Sequence, residues 1–259
     1  MGAEHIRAMH REQQRFARRL EALGLRCVNY CPVLRELVSV DPAVRAAAYP
    51  IFELGAETAA GFGSRTVHVA TYLPPVEFVG PKPYVGKLRY GEHYQVVMPD
   101  DFTWESQWNA LVDSVRTCAD IAARHGLVLI IEPRVAELVS STDSLLRLMD
   151  HVQRPNLMAN FDCAHLNAQK EILPLSARKL AGRIGGVHLA DNDGSDNRHL
   201  MPGDGNIDFT GVFKELVRQG FDGSLGIDLG SLPQLGQRFR ECAQWARGLA
   251  GKMGFALQG

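Results

Sequence analysis

Glu132, Asp162, His188 and Asp228 stand at or near the ends of four apolar runs, LVLIIE, LMANFD, IGGVHLA and SLGIDL. Three carboxylates and an imidazole form a ligand set suited to a hard or borderline divalent cation such as Mn²⁺, Mg²⁺, Co²⁺ or Zn²⁺. If those runs are neighbouring parallel strands, their ends converge on one point at the C-terminal face of a barrel. Buried carboxylates gathered there would be costly without a cation between them. A single carboxylate at a strand end also reads as a salt-bridged residue, and Asp228 as a helix-side or substrate-binding one.

Two further clusters surround these positions. Asp162-Cys-Ala-His165 places a carboxylate and a His three residues apart just past a strand, so that one can grip metal and the other substrate. Cys163 between them reads as a small buried residue, because no base stands beside it in sequence. The stretch from His188 to Phe209, HLADNDGSDNRHLMPGDGNIDF, gathers Asp191, Asn192, Asp196, Arg198 and His199. Arg198 and His199 offer donors for a substrate hydroxyl or phosphate. Gly203 and Gly205 let the backbone turn tightly and approach a ligand. Arg134 and Glu137, in the loop after Glu132, are further candidates for substrate contact. His68 lies inside a strand with either face open to it, and His5, His10, His93, His125 and His151 read as surface or cap residues.

The elements that must hold these residues alternate along the chain. Strands are expected at 25–30, 65–71, 127–132, 157–162, 184–190 and 224–229. Helices are expected at 10–23, 42–61, 104–125, 142–152, 174–182, 208–219 and 233–249. Gly24, Gly63, Gly126, Asn156 and Gly220 mark helix exits, and Thr142 and Asp208 mark entries. Apolar strands separated by single helices predict a parallel sheet covered by helices. The segment 72–103, with five prolines and with Tyr72, Tyr84, Tyr90 and Tyr94, is too long for an ordinary connection. Its place after a strand makes it an active-site lid in this reading, or else a decorated surface loop.

The pattern His-x-x-Asp-Asn followed by Asn-x-His-Leu-x-Pro-Gly-x-Gly resembles the sugar isomerase/epimerase group of xylose-isomerase-like TIM barrels, a superfamily that also contains endonuclease IV. The resemblance implies one (β/α)8 domain over residues 1–259. It implies one divalent metal ion on Glu132, Asp162, His188 and Asp228, where the family has Glu, Asp, His and Glu. It also implies proton transfer by Glu132 and Asp228, and contacts from His165 to substrate oxygens or to a second metal. Asp228 departs from the family by one methylene. Six strands rather than eight are legible, as if the first strand, helix and second strand were absent, so the barrel is expected to be incomplete on its N-terminal side. A late start site, an open barrel or unrecognised strands would each explain the count.

The resulting function is a metal-dependent isomerase or epimerase of a sugar or keto-polyol, working through an enediolate. A dehydratase or C-glycoside-cleaving lyase on the same scaffold, an endonuclease-IV-like repair enzyme and a non-catalytic subunit are the alternatives. With 28 Lys and Arg against 29 Asp and Glu, net charge −1, there is no global field favouring nucleic acid. The five cysteines have no paired spacing, and no run of 18 apolar residues occurs, so a soluble cytoplasmic protein with reduced thiols is expected. A small-molecule carbohydrate is the expected partner, with a homo-oligomer or a partner subunit left open.

Overall fold

The protein is described by a computed structural model over residues 2–83 and 92–254. In chain order the elements are α1 (Ala3–Ala22), β1 (Asn29–Tyr30), a 3-10 turn (Arg35–Val38), α2 (Pro42–Gly61), β2 (Thr66–Val69), β3 (Glu77–Val79), β4 (Gln95–Val97) and α3 (Trp104–Arg124). There follow β5 (Val128–Ile131), α4 (Thr142–Val152), β6 (Leu157–Asp162), α5 (Cys163–Ala168), α6 (Leu173–Lys179), β7 (Ile184–Leu189), α7 (Phe209–Arg218), β8 (Ser224–Ile227) and α8 (Leu235–Lys252). The chain divides into two compact units: Met1–Pro74 with Pro99–Glu132 and Leu145–Met158, and Pro75–Met98 with Pro133–Ser144 and Ala159–Gly259.

In the first unit β1, β2 and β5 are parallel neighbours, with Tyr30 beside Val67 and Val69 beside Ile131. Val67, Val69, Leu129, Ile130 and Ile131 are all buried. Strands apolar on both faces in this way need helices over them. On α2, Phe52, Ala56 and Ala59 form the buried stripe; on α3 it is Trp108, Leu111, Val115, Cys118 and Ala122, at the three- and four-residue steps of a core-facing helix. Asp41 caps α2 by accepting from Ala43 N at 2.8 Å, and Thr103 caps α3 by accepting from Ser106 N at 3.3 Å.

In the second unit β6, β7 and β8 are parallel, with Asp162 level with His188 and His188 level with Gly226. Asp208 caps α7 by accepting from Gly211 N at 2.8 Å. That helix turns Phe209 and Phe213 edge-on to Trp245 of α8. Met201, Leu229 and Cys242 form a buried cluster with Phe239 and Trp245 packed on it. Asp228 and Leu229 are adjacent, so burial of the leucine anchors the backbone that carries the carboxylate.

Six parallel strands occur among the described residues, three in each unit, where the sequence suggested them. The bounds differ for physical reasons. The first strand shrinks to two residues and leaves Leu25 and Val28 exposed, while α1 begins at Ala3, well before His10. Segment 72–103 is not structureless: β3 and β4 pair antiparallel, and Phe78 meets Tyr94 edge-on. Three-residue strands flanked by prolines are too short to read as strands from pattern alone. Tyr84 and Tyr90 lie outside the described residues. Gly24, Gly63, Gly126 and Gly220 have positive φ, as helix exits require. Thr142 does open α4, but Glu171 satisfies the helix end, its Oε1 accepting from Thr142 N at 2.7 Å. Among the described residues no helix is long and apolar enough to cross a membrane.

Candidate metal centre

Asp162 is the last residue of β6 and also the N-cap of α5, where its Oδ1 accepts from His165 N at 2.8 Å. One carboxylate oxygen is thus spent on the helix. The other, Oδ2, is fully buried and has no hydrogen-bond partner among the described residues. His188 Nδ1 lies 3.4 Å from it, and the same nitrogen lies 3.7 Å from Asp228 Oδ2. Asp162, His188 and Asp228 each offer a ligand atom within 4.8 Å of the others. An orphaned buried carboxylate oxygen beside an imidazole and a second carboxylate is an arrangement a divalent cation would satisfy. The residues therefore fit such an ion.

Backbone register builds this cluster. His188 is paired with Gly226, and a Cβ at that glycine would lie 2.9 Å from His188 Cδ2. Only glycine leaves room for the imidazole. Asp228 follows the last residue of β8, yet its N–H still donates to Leu189 O at 3.2 Å, so it continues the strand direction. Burial alone would raise the Asp162 pKa, but the surrounding imidazoles of His165, His188 and His199 outweigh it and hold the carboxyl far below the usual range. Asp228 is also lowered, first by the hydrogen bond from His199 and against partial burial.

Loop 191–207 is organised by Asp191. Its Oδ1 accepts from Asn192 N at 2.9 Å and Ile207 N at 3.2 Å, and its Oδ2 from Gly203 N at 2.8 Å and Gly205 N at 3.1 Å. The close approach that Gly205 allows is therefore to the chain's own Asp191, while Gly203 supplies the positive φ of the turn. A Cβ on Gly205 would run into Asn192 O and Asp191 Oδ1. Asn192 is buried too, and donates to Ala164 O at 2.8 Å and Arg198 O at 3.2 Å. An Asp just after a strand, followed by a Pro-Gly-x-Gly turn, was the signal for this role.

His165 is 3% exposed and sits in the loop's cradle. Val135 N–H donates to its Nδ1 at 3.3 Å. Burial first, with the nearby His199 and Arg134 charges, lowers its pKa to about 4. Arg134 Nε donates to the ring's other nitrogen, Nε2, at 3.5 Å, so both ring nitrogens face N–H groups of the loop after β5. Arg134 is ion-paired with the buried Glu137 at 3.3 Å. Arg198 extends on the exposed side of the loop, with Nε donating to Asp196 Oδ2 at 3.1 Å. His199 packs edge-on to His165 at 5.1 Å between ring centroids. Its pKa rises to about 9: burial opposes this, but the hydrogen bond to Asp228 and the charge of Asp162 outweigh it. Asp162, His165 and His199 also form a second trio with ligand atoms within 4.8 Å. Cys163 is fully buried, and burial pushes its thiol pKa well up, as an inert residue requires. In the first unit Glu132 is 5% exposed, directly after β5.

The family described as Xylose isomerase-like TIM barrel matches residues 2–249, and the chain belongs to it. Among curated relatives it is 23% identical over 125 residues to the fructoselysine 3-epimerase of Escherichia coli O157:H7, covering 47% of this chain and 46% of that one. It is 25% identical to the inosose dehydratase of Geobacillus thermodenitrificans (52% and 51% covered) and 26% identical to the L-ribulose 3-epimerase of Mesorhizobium japonicum (58% and 48%). The matches span about half the length of these relatives. Among solved structures, a 3-keto-D-glucoside 4-epimerase from E. coli superposes with a TM-score of 0.75 at 18% identity, covering 93% of this chain and 86% of that one. A D-tagatose 3-epimerase-like protein gives 0.72 at 20% identity, covering 94% and 85%. At these identities the structures establish a shared fold.

Proposed function

We propose that the chain is a divalent-metal-dependent isomerase or epimerase acting on a sugar or keto-polyol by proton transfer through an enediolate. The observation that carries this is the buried, unbonded Oδ2 of Asp162 beside His188 and Asp228. Glu132 is assigned as the fourth ligand, and one ion is expected. When bound, the ion supplies chelation of adjacent carbonyl and hydroxyl oxygens, which acidifies the C–H between them. Glu132 takes that proton, and Asp228 stands for the opposite face of the substrate. His165, Arg134, Glu137, Arg198 and His199 supply polar contacts to the substrate. Residues 72–103 serve as a lid over a single catalytic domain. Small carbohydrates, not nucleic acids, are the substrates. The epimerases among the relatives support this chemistry.

Metal analysis combined with a ketose and inosose turnover panel tests the proposal. One Mn²⁺, Co²⁺, Mg²⁺ or Zn²⁺ per chain and turnover of a ketose are expected. Three ions would favour endonuclease-like chemistry, and none would remove the reading. The inosose dehydratase relative supports a second reading in which the same proton abstraction is followed by loss of a β-hydroxyl. Water release from an inosose would select it.

Asp228→Glu is a separate test. Asp228 reaches the cluster from the present backbone, so one more methylene should crowd it and lower activity by about tenfold, within what a misplaced group costs. Rising metal affinity together with rising isomerase activity would show instead that the native carboxylate is too short.

A further inference from the structure

We infer that His199 is a positioning residue that locks Asp228 in place, and is not itself a metal ligand. The inference rests on the proposed metal centre and deepens it. Asp228 lies beyond the last paired residue of β8 and its side chain is 49% exposed, so strand pairing and packing alone do not fix its carboxylate. His199 supplies what is missing. Its Nδ1 lies 2.7 Å from Asp228 O and 3.2 Å from Asp228 Oδ2. A backbone carbonyl only accepts, so Nδ1 carries the proton and donates. One nitrogen thus grips the backbone and the carboxylate of the same residue.

The grip is itself rigidly mounted. Gly230 N donates back to His199 O at 2.8 Å, lacing the two segments in both directions. On the other side Leu200 exchanges backbone hydrogen bonds with Asp191 at 2.8 and 2.9 Å. Asp191 in turn is the residue on which loop 191–207 folds. His165, edge-on to the His199 ring, restricts its rotation. The order of control runs from Asp191 through Leu200 and His199 to Asp228. Outer partners that orient a ligand typically change metal affinity by about 10–100-fold when removed.

Mn²⁺ titration of the full chain by calorimetry, with electron paramagnetic resonance of the bound ion, tests this. His199→Ala should weaken Mn²⁺ binding by about 10–100-fold. His199→Asn, whose amide nitrogen occupies the place of Nδ1, should restore most of the affinity. His199→Gln, whose amide nitrogen mimics Nε2, should not. Unchanged affinity in His199→Ala overturns the inference. Rescue by Gln and not by Asn also overturns it, because it would mark His199 as a ligand through Nε2, as would a second ion lost in His199→Ala. If the Ala variant does not fold by circular dichroism, the Asn and Gln pair decides alone. A wild-type chain that binds no Mn²⁺, Co²⁺, Mg²⁺ or Zn²⁺ fails at the proposed function, and the inference falls with it. Binding by wild type with no effect of His199 fails only here.

Discussion

Glu132→Gln is expected to lower turnover by about 10²–10⁴-fold, the range assigned to loss of a positioned general base. The glutamate is 5% exposed at the end of β5, on a strand whose neighbours are fully packed. Gln has the same shape, so the strand end has no reason to move. It cannot accept a proton at neutral pH, and as a neutral group it is a poorer partner for a cation. Turnover should therefore fall while the melting temperature stays within a few degrees of wild type. The measurement is kcat on the substrate selected by the turnover panel, alongside a circular dichroism melt. Wild-type turnover in Glu132→Gln on that same substrate removes Glu132 from the proton transfer.

Asp191→Ala is expected to cost about 1–3 kcal/mol of unfolding free energy, because it removes the acceptor of one buried and three partly buried N–H groups. Four backbone donors converge on this one carboxylate, from Asn192, Gly203, Gly205 and Ile207. Asp191 is 1% exposed, so water does not replace the lost acceptor without opening the loop. Asp191→Asn should fall between the two, since an amide retains one accepting oxygen and presents a donor where the other stood. Urea unfolding of the three proteins gives the ranking directly. A loss below about 1 kcal/mol for Asp191→Ala would mean that the loop is held by its other contacts, Asn192 chief among them.

Much of this was legible in the residue order. Strand ends show because an apolar run stops at a charged residue, and Asp162 and His188 do lie level across two paired strands. The helix entry at Asp208 was legible as well, since a short carboxylate before an apolar stripe has one common use. Cys163–Ala168 was hidden. All four of Cys163, Ala164, His165 and Leu166 are buried, so α5 shows no polar face and no helical period. The hairpin of β3 and β4 was hidden by its brevity. The Asp191 role was half visible: its glycines announced a close approach, but not to which group. The hydrogen bond from Val135 to His165 was out of reach, because a backbone N–H leaves no mark in a sequence.

Gly226 bears on how this site can change over generations. While His188 is present, any side chain at 226 would be pushed to 2.9 Å from its ring, so the two positions cannot drift independently. A lineage that first loses the imidazole is released at 226 immediately, and any residue that strengthens the strand can then settle there. Once that has happened, restoring His188 alone no longer restores the site. The pair acts as a ratchet: loss takes one mutation, and recovery takes two in a fixed order.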